Sequence, residues 1–359
     1  MASLSAAWLL PARWQVGGIA LCGAVFLALA SPVSLLVSTI SSLLVYLSVR
    51  RGQGRLSVLL ATIGGLTAVF VCFKYRVGSV AHAVLPIGLS YYTFRMIHYA
   101  LESAKGSLRD HDVRDYLCYL FFMPVLLVGP IHRFPEFLRD VRRRRFDRGL
   151  FLYGLERAYY GYAKVIILGS LLVSSWIPPI LDSCPGWARE SCLGPCLDWL
   201  NLYIQFSGYS DIAIGAAAMC GFRVIENFHL PFLASNIADF WRRWHISLTS
   251  WCRDYVYAPI AALTRNRTLS MMSAMVAMGL WHEFSLRYIL WGAYHAGGIA
   301  VYGRYTRWVT PAMRPRNPCL RIAGRIVGTF ITLTFVVLSY PITKSLDQGL
   351  RELWALIAS

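Results

Sequence analysis

Residues 240–251, FWRRWHISLTSW, place two arginines and a histidine inside a run of tryptophans and aliphatic residues. On one helix drawn over 236–257, the apolar side chains share an arc of about 100° and His245 lies at its boundary. The opposite side of this helix carries Asp239, Arg242, Arg243 and Arg253. The pattern predicts an amphipathic helix in the membrane interface, with arginines toward phosphates and water.

The rest of the chain indicates a helical integral membrane protein. Its 359 residues are 57% hydrophobic and only 15% charged, with a mean hydropathy of +0.50. A soluble domain of this length carries more charge and lacks apolar stretches long enough to cross a bilayer. We therefore expect one all-α polytopic domain over 1–359, with about ten spanning or re-entrant helices. These are predicted at about 18–31, 33–49, 56–73, 82–101, 115–130, 149–173, 197–221, 268–282, 285–303 and 326–343.

The arginines predict the orientation in the membrane. Residues 132–148 hold seven arginines and three acids, and residues 304–325 hold six arginines and no acid, whereas the loop 174–196 has a single arginine. The two basic segments are expected in the cytoplasm and the third segment outside, which puts 222–267 at the cytoplasmic face. The net charge of +17 is thus dispersed between spans, so we do not expect nucleic acid as a partner.

Two histidines are predicted inside apolar spans. His282 and Glu283 follow an apolar run that begins near Leu269, which puts His282 about 20 Å from the cytoplasmic end. His295 lies in the next span. A histidine at such a depth is a candidate general base, because burial favours its neutral form. The alternative is a histidine that only hydrogen-bonds between helices.

A polar span and a cysteine cluster each leave alternatives open. Residues 201–215 include Tyr209, Ser210 and Asp211, and this span either lines a watery cavity or forms an interhelical hydrogen-bond network helped by Gly215. The predicted outer loop holds a cluster that fits one disulfide, free thiols or, less well, zinc. Its members are Cys184, Cys192 and Cys196.

Several stretches together resemble the membrane-bound O-acyltransferase family, in particular its bacterial branch of alginate O-acetylation and D-alanyl transfer proteins. The similarity covers about residues 80–300. The stretches that carry it are LPIGLSYYTF (85–94), FFMPVLLVGPIHRFPEF (121–137), the long stretch 203–260, GLWHEF (279–284) and LWGAYHAG (290–297).

The resemblance implies tilted helices around a central tunnel and transfer of an acyl group from a cytoplasmic thioester to an extracytoplasmic hydroxyl. Its two essential histidines map onto His282, as base or acyl relay, and onto His245, on the donor side. It implies no bound cofactor and no metal, with acetyl-CoA or another acyl thioester as donor. Residues expected to bind or orient substrates are Asn236, Asp239, Arg242, Arg243, Asp254, Tyr209, Ser210, Asp211, Glu283 and His295.

The expected setting is the bacterial cytoplasmic (inner) membrane. The expected partners are the lipid bilayer, acyl-CoA or an acyl-carrier protein, a glycan acceptor, and an extracytoplasmic acyltransferase of the SGNH type. Two departures from the family pattern concern the substrates. Glu283 follows His282 where the family commonly has glycine, and the stretch AALTRNRTLS (261–270) is shorter than usual. The alternative functions are a non-catalytic membrane scaffold and a transporter of a small acylated substrate.

Overall fold

The computed structural model describes residues 1–52, 54–75, 86–108, 110–182, 193–308 and 317–343, and these residues form helices and no strands. The all-α prediction is confirmed. The helices group into two compact units. The first unit is Met1–Tyr162 with Tyr209–Ile225, and the second is Ala163–Gly208 with the described residues from Glu226 onward.

The described residues of the first unit form eight helices and the end of a ninth. The helix α6 (Val113–Leu120) begins at a reciprocal cap, in which Asp112 Oδ1 accepts the Asp115 amide at 2.8 Å. It ends at Leu120, so the predicted span 115–130 is wrong as a continuous helix, and only a 3₁₀ turn at Met123–Val125 follows. The eight helices are α1 (Ala2–Leu9), α2 (Ala12–Ala30), α3 (Pro32–Gly52), α4 (Leu56–Tyr75), α5 (Leu89–Ala104), α6 (Val113–Leu120), α7 (Phe134–Arg143) and α8 (Arg148–Tyr162).

The second unit begins where α8 continues as a π-helix over Ala163–Trp176. The long helix α10 runs through Gly194–Met219 and supplies residues to both units. The other helices of this unit are α9 (Ile177–Leu181), α11 (Ile237–Arg243), α12 (Ile246–Cys252), α13 (Ala258–Thr264), α14 (Arg267–His282), α15 (Leu286–Trp308), α16 (Pro318–Val337) and α17 (Tyr340–Thr343).

Within the described ranges, five helical stretches are long and apolar enough to cross a membrane. They are Ala12–Ala30, Pro32–Gly52, Leu56–Lys74, Arg148–Leu181 and Pro318–Thr343. The polytopic helical fold class is thereby supported. The count of ten spans stays a prediction, because the other predicted spans fall on helices that are shorter or more polar. The central tunnel stays a prediction as well.

Glycines bring two helix pairs into close contact, one pair in each unit. In the first unit a Cβ on Gly215 would lie 2.5 Å from the carbonyl oxygen of Gly154, so α8 and α10 touch through their backbones. In the second unit a Cβ on Gly292 would lie 2.6 Å from the Met275 carbonyl oxygen, and one on Gly279 would collide with the Tyr288 carbonyl. Larger residues at these positions would separate α14 from α15, which carry His282 and His295.

Candidate active site

The chain breaks its helix at His245. α11 ends at Arg243, Trp244 is extended (φ −102°, ψ 126°), and His245 takes the left-handed conformation (φ 44°, ψ 53°) before α12 begins. The prediction of one continuous helix over 236–257 is therefore wrong. The extended residue places the Trp244 ring in stacks with Trp199 and Phe240, at centroid distances of 5.3 and 5.5 Å.

Asn227 fixes the ring of His245. Its side-chain oxygen lies 2.9 Å from His245 Nδ1 and also accepts the Ser247 hydroxyl at 2.9 Å, while its backbone oxygen accepts the Ile246 amide. An amide oxygen only accepts, so Nδ1 carries the proton and Nε2 carries the lone pair. Nε2 is buried and has no hydrogen-bond partner among the residues that the structure describes.

The surroundings of His245 are aromatic. Phe206 lies edge-on at 4.8 Å, Phe228 stacks at 6.5 Å and Trp281 lies at 5.9 Å, measured between ring centroids. Burial, helped by the nearby charge of His282, lowers the pKa of His245 to about 3. The imidazole is therefore neutral at physiological pH and can accept a hydrogen bond at Nε2.

The apolar face predicted for this segment is buried in protein. Leu248 is fully buried, and Phe240, Trp241 and Trp251 are 1%, 5% and 7% exposed. The periodicity therefore identified the correct side chains, but they pack into the second unit instead of lying against lipid. The physical reason is the break at Trp244, which folds α12 back and gives these side chains protein neighbours.

His282 is the last residue of α14 and its side chain is exposed. Measured between ring centroids, Trp281 lies 4.5 Å from His282, Tyr288 stacks on it at 5.6 Å and Trp291 lies edge-on at 5.6 Å. Trp281 also contacts His245, so the second unit brings the two predicted histidines to one tryptophan ring. The two histidines differ in access, since His282 can be reached from outside the protein and His245 cannot.

Glu283, the residue that departs from the family pattern, closes the corner between α14 and α15. Its carboxylate forms an ion pair of 2.5 Å with Arg287, in the first turn of α15, and its amide donates to the Gly279 carbonyl. The carboxylate thus links the end of α14 to the start of α15. This arrangement stabilises the turn that directly follows His282.

His295 is buried at 1% exposure within an aromatic cluster. The centroid of its ring lies 4.6 Å from that of Trp291 and 5.1 Å from that of Trp241, and it is edge-on to Trp241. Since Trp291 also contacts His282, this histidine belongs to the same group of rings. Its buried Nδ1 has no hydrogen-bond partner in the described part of the chain.

The predicted donor-side residues divide into capping and exposed groups. Asn236 caps α11 by accepting the Asp239 amide at 2.8 Å, and Asp239 pairs with Arg243 at 2.9 Å and Arg242 at 3.5 Å. The side chain of Arg243 is 27% exposed and that of Arg242 is 71% exposed. Asp254 pairs with its exposed neighbour, Arg253, at 2.9 Å. Arg242 thus remains the most accessible cation of α11.

Tyr209, Ser210 and Asp211 belong to the first unit, whereas the histidines belong to the second. Asp211 is 5% exposed and forms an ion pair of 2.7 Å with Arg157 on α8. Ser210 is buried and Tyr209 is 44% exposed. The Asp211–Arg157 pair and the glycine contact beside it fit the interhelical network that the sequence left open as one alternative.

The predicted disulfide falls mostly outside the described residues. Cys184 and Cys192 lie there, and Cys196 is exposed near the start of α10. The disulfide, thiol and zinc alternatives therefore stay open. No group of three or more potential metal ligands occurs in the described ranges.

Sequence reasoning missed Asn227, Arg157 and Trp281. The partnership of Arg157 was within reach, because an arginine and an aspartate in neighbouring apolar spans are expected to pair. Asn227 gave no such signal, since it lies in an irregular segment eighteen residues before His245. Trp281 lies in the GLWHEF stretch that carries the family resemblance, but nothing in the sequence indicates that its ring contacts both histidines.

Comparisons with known proteins show which proteins this chain is similar to. The model of MBOAT, the membrane-bound O-acyltransferase family, matches residues 33–340.

The chain is 31% identical to a probable alginate O-acetylase of Pseudomonas aeruginosa over 81% of this chain and 54% of the relative. It is 28% identical to a teichoic acid D-alanyltransferase of Bacillus subtilis, over 62% of this chain and 60% of the relative. It is 25% identical to a peptidoglycan O-acetyltransferase of Helicobacter pylori, over 77% of this chain and 57% of the relative. The chain thus spans about half the length of the alginate relatives that it matches.

Proposed function

Because this chain belongs to the membrane-bound O-acyltransferase family, we propose that it transfers an acyl group, in the simplest case acetyl, from a thioester to a hydroxyl. The observation that carries the proposal is the pairing of an exposed and a buried histidine around Trp281. The three relatives act on alginate, teichoic acid and peptidoglycan, so the acceptor class is a hydroxyl-bearing polymer of the cell envelope or a partner that modifies it.

His282 is the proposed base. Its exposed ring can take the proton of an acceptor hydroxyl while that oxygen attacks the thioester carbonyl. The carbon–oxygen bond of the ester forms, the carbon–sulfur bond breaks, and the proton passes on to the leaving thiolate. General base catalysis of this kind contributes about 10² to 10⁴ in rate.

His245 is the proposed donor-side residue. Its Nε2 carries a lone pair and is held in place through Asn227, which suits a group that orients one substrate instead of exchanging protons with solvent. Arg242 is accessible to an anionic donor such as acetyl-CoA or a carrier-protein thioester. Asn236 and Asp239 support this role indirectly, by capping α11 and pairing with its arginines.

The proposed location is the bacterial cytoplasmic membrane, with His245 near the cytoplasmic face and His282 deeper. The arginine distribution supports this orientation, because basic loops collect in the cytoplasm. An extracytoplasmic transferase of the SGNH type is a proposed partner when the final acceptor is a secreted polymer.

The test uses cells and membranes that express the full chain or its His245→Ala/His282→Ala double variant at equal levels. The readouts are thiol release from acetyl-CoA and ester-linked acetyl groups on extracted envelope polysaccharide. We expect both readouts to be lost in the double variant. Retained acetylation in the double variant would indicate a scaffold, and solute flux into liposomes without any acyl donor would indicate a transporter.

A further inference from the structure

The first unit contains a basic cavity that the proposed acyl transfer does not use. It has a volume of about 450 Å³ and is lined by five arginines and two aspartates, a net of three positive charges. The arginines are Arg139, Arg143, Arg144, Arg145 and Arg223, and the aspartates are Asp140 and Asp147. The cavity lies where α7 ends and α8 begins.

The two aspartates are already engaged by the protein. Asp140 accepts the Arg223 amide at 2.9 Å and lies 3.6 Å from the Arg139 guanidinium. Asp147 accepts the Leu150 amide at 3.1 Å in the first turn of α8. These carboxylates therefore hold the walls of the cavity together, and they neutralise its arginines only in part.

Arg144 is anchored inside the first unit. Its guanidinium turns inward, donates to Gln15 Oε1 at 2.8 Å and to the Ala7 carbonyl, and lies 4.5 Å from the centre of the Trp8 ring. With Arg144 anchored on α1 and α2, the exposed Arg143 and Arg145 flank it along the cavity wall. The fold thus positions Arg144, and its two chain neighbours line the same cavity with exposed side chains.

An apolar cavity of about 470 Å³ adjoins the basic one and shares Asp147, Leu150 and Arg223 with it. Its remaining wall is mostly apolar and comprises Gly149, Tyr153, Ile214, Ala218, Phe222 and Val224. It opens beside α8, the start of a stretch apolar enough to cross a membrane, whose Leu152 and Tyr159 are 50% and 68% exposed. A basic cavity joined to an apolar one at the start of a spanning helix has the chemistry of a phospholipid.

We propose that these joined cavities bind one anionic phospholipid, with its phosphate among Arg143, Arg145 and Arg223 and an acyl chain against Tyr153, Ile214 and Val224. A soluble phosphate would use the basic cavity alone. The apolar cavity and the lipid-facing side of α8 favour the lipid. The predicted cytoplasmic position of this loop puts the lipid in the inner leaflet, where anionic lipids attract basic segments.

The test is native mass spectrometry of the full chain in detergent, titrated with phosphatidylglycerol or with phosphatidylcholine of the same acyl chains. The variant Arg143→Gln/Arg145→Gln is compared with Arg304→Gln/Arg307→Gln, which removes two exposed arginines from α15 of the second unit. We expect the first pair to weaken phosphatidylglycerol binding by roughly tenfold or more, because each arginine near an anionic lipid contributes appreciably to attraction. The second pair is expected to change binding by less than about twofold. Size-exclusion profiles and thermal midpoints check that each variant is folded.

Leu150→Trp, which fills the junction of the two cavities, gives the second arm. We expect it to weaken phosphatidylglycerol binding while leaving the binding of inorganic pyrophosphate unchanged. Unchanged phosphatidylglycerol binding by Leu150→Trp would overturn the proposal in favour of a soluble phosphate ligand that uses the basic cavity alone. Equal binding of phosphatidylcholine, or equal losses in the two arginine pairs, would overturn it as well. The assay needs no acyl transfer, so its result is independent of the proposed function.

Discussion

Residues 227–252 and residues 279–291 each hold one histidine of the candidate site, but they hold it in opposite ways. His245 is 4% exposed, occupies a left-handed turn and is anchored to Asn227, whereas His282 ends a helix with its ring exposed. A group that orients a substrate gains from a fixed position, while a group that exchanges protons with an incoming acceptor needs access. The contrast predicts that changes around His245 affect stability more than changes around His282.

Asn227→Ala is expected to have the largest effect on stability. It leaves the buried Nδ1–H of His245 and the hydroxyl of Ser247 without their acceptor, which lowers the free energy of unfolding by about 3 kcal/mol. The matched control is Asn236→Ala, which removes the same side chain from a helix cap at a loss of about 1 kcal/mol. Thermal unfolding in detergent measures both. Equal losses would contradict the anchoring of His245 by Asn227.

Acidification gives the next largest effect. Because burial lowers the pKa of His245 to about 3, the unfolded chain binds a proton at this position below about pH 6.5 and the folded chain does not. Stability therefore falls as the pH decreases, by about 2 kcal/mol between pH 7 and pH 5 for this one residue. The difference between wild type and His245→Gln, measured at both pH values, isolates it. A pH-independent difference would show that His245 is not buried in its neutral form.

Helix α11 offers a comparison of two adjacent arginines. Arg243→Gln removes a half-buried ion pair with Asp239 and a hydrogen bond of 3.3 Å to the His229 carbonyl, a loss of about 1 kcal/mol. Arg242→Gln removes a long and exposed pair, with a change of about 0.3 kcal/mol or less. Thermal unfolding in detergent measures the loss of stability in each of the two variants. The reverse order would mean that Arg242 has a structural partner beyond Asp239.

The smallest effect is expected at Glu283. Glu283→Gln weakens the ion pair with Arg287 and lowers the free energy of unfolding by about 0.5 kcal/mol, since both side chains are about one third exposed. Thiol release from acetyl-CoA is expected to stay within about twofold of wild type, because this carboxylate closes a corner and is not needed to take the proton. A loss of transfer comparable to that in a histidine variant would assign Glu283 a part in the reaction.

Much of the helical framework could be predicted from the sequence, because hydropathy alone locates a long apolar helix. The predicted spans 33–49 and 56–73 fall within α3 and α4, and the predicted span 268–282 falls within α14. The span 115–130 failed because the helix ends at Leu120, and Pro124, which has no amide hydrogen, lies in a 3₁₀ turn four residues later. Hydropathy registers apolar character but not such a break.

The site was predictable in its residues more than in its geometry. The helical period identified the buried side chains Phe240, Leu248 and Trp251, but it placed them on one unbroken helix. His245 is held at the break by Asn227, which lies eighteen residues earlier in the chain, and a periodicity argument contains no such long-range contact. The roles of the two histidines came from the family resemblance, and the structure adds the difference in their access.

The most direct test of the division between the two histidines compares His282→Ala with wild type in detergent-purified full-length protein. Acyl transfer from acetyl-CoA and binding of a non-hydrolysable acetyl-CoA analogue are measured on the same samples, with His245→Ala alongside. For His282→Ala we expect transfer reduced by about 100-fold or more, with analogue binding within about twofold of wild type. For His245→Ala we expect weakened analogue binding. Undiminished transfer by His282→Ala would contradict the proposed role of His282 as the base.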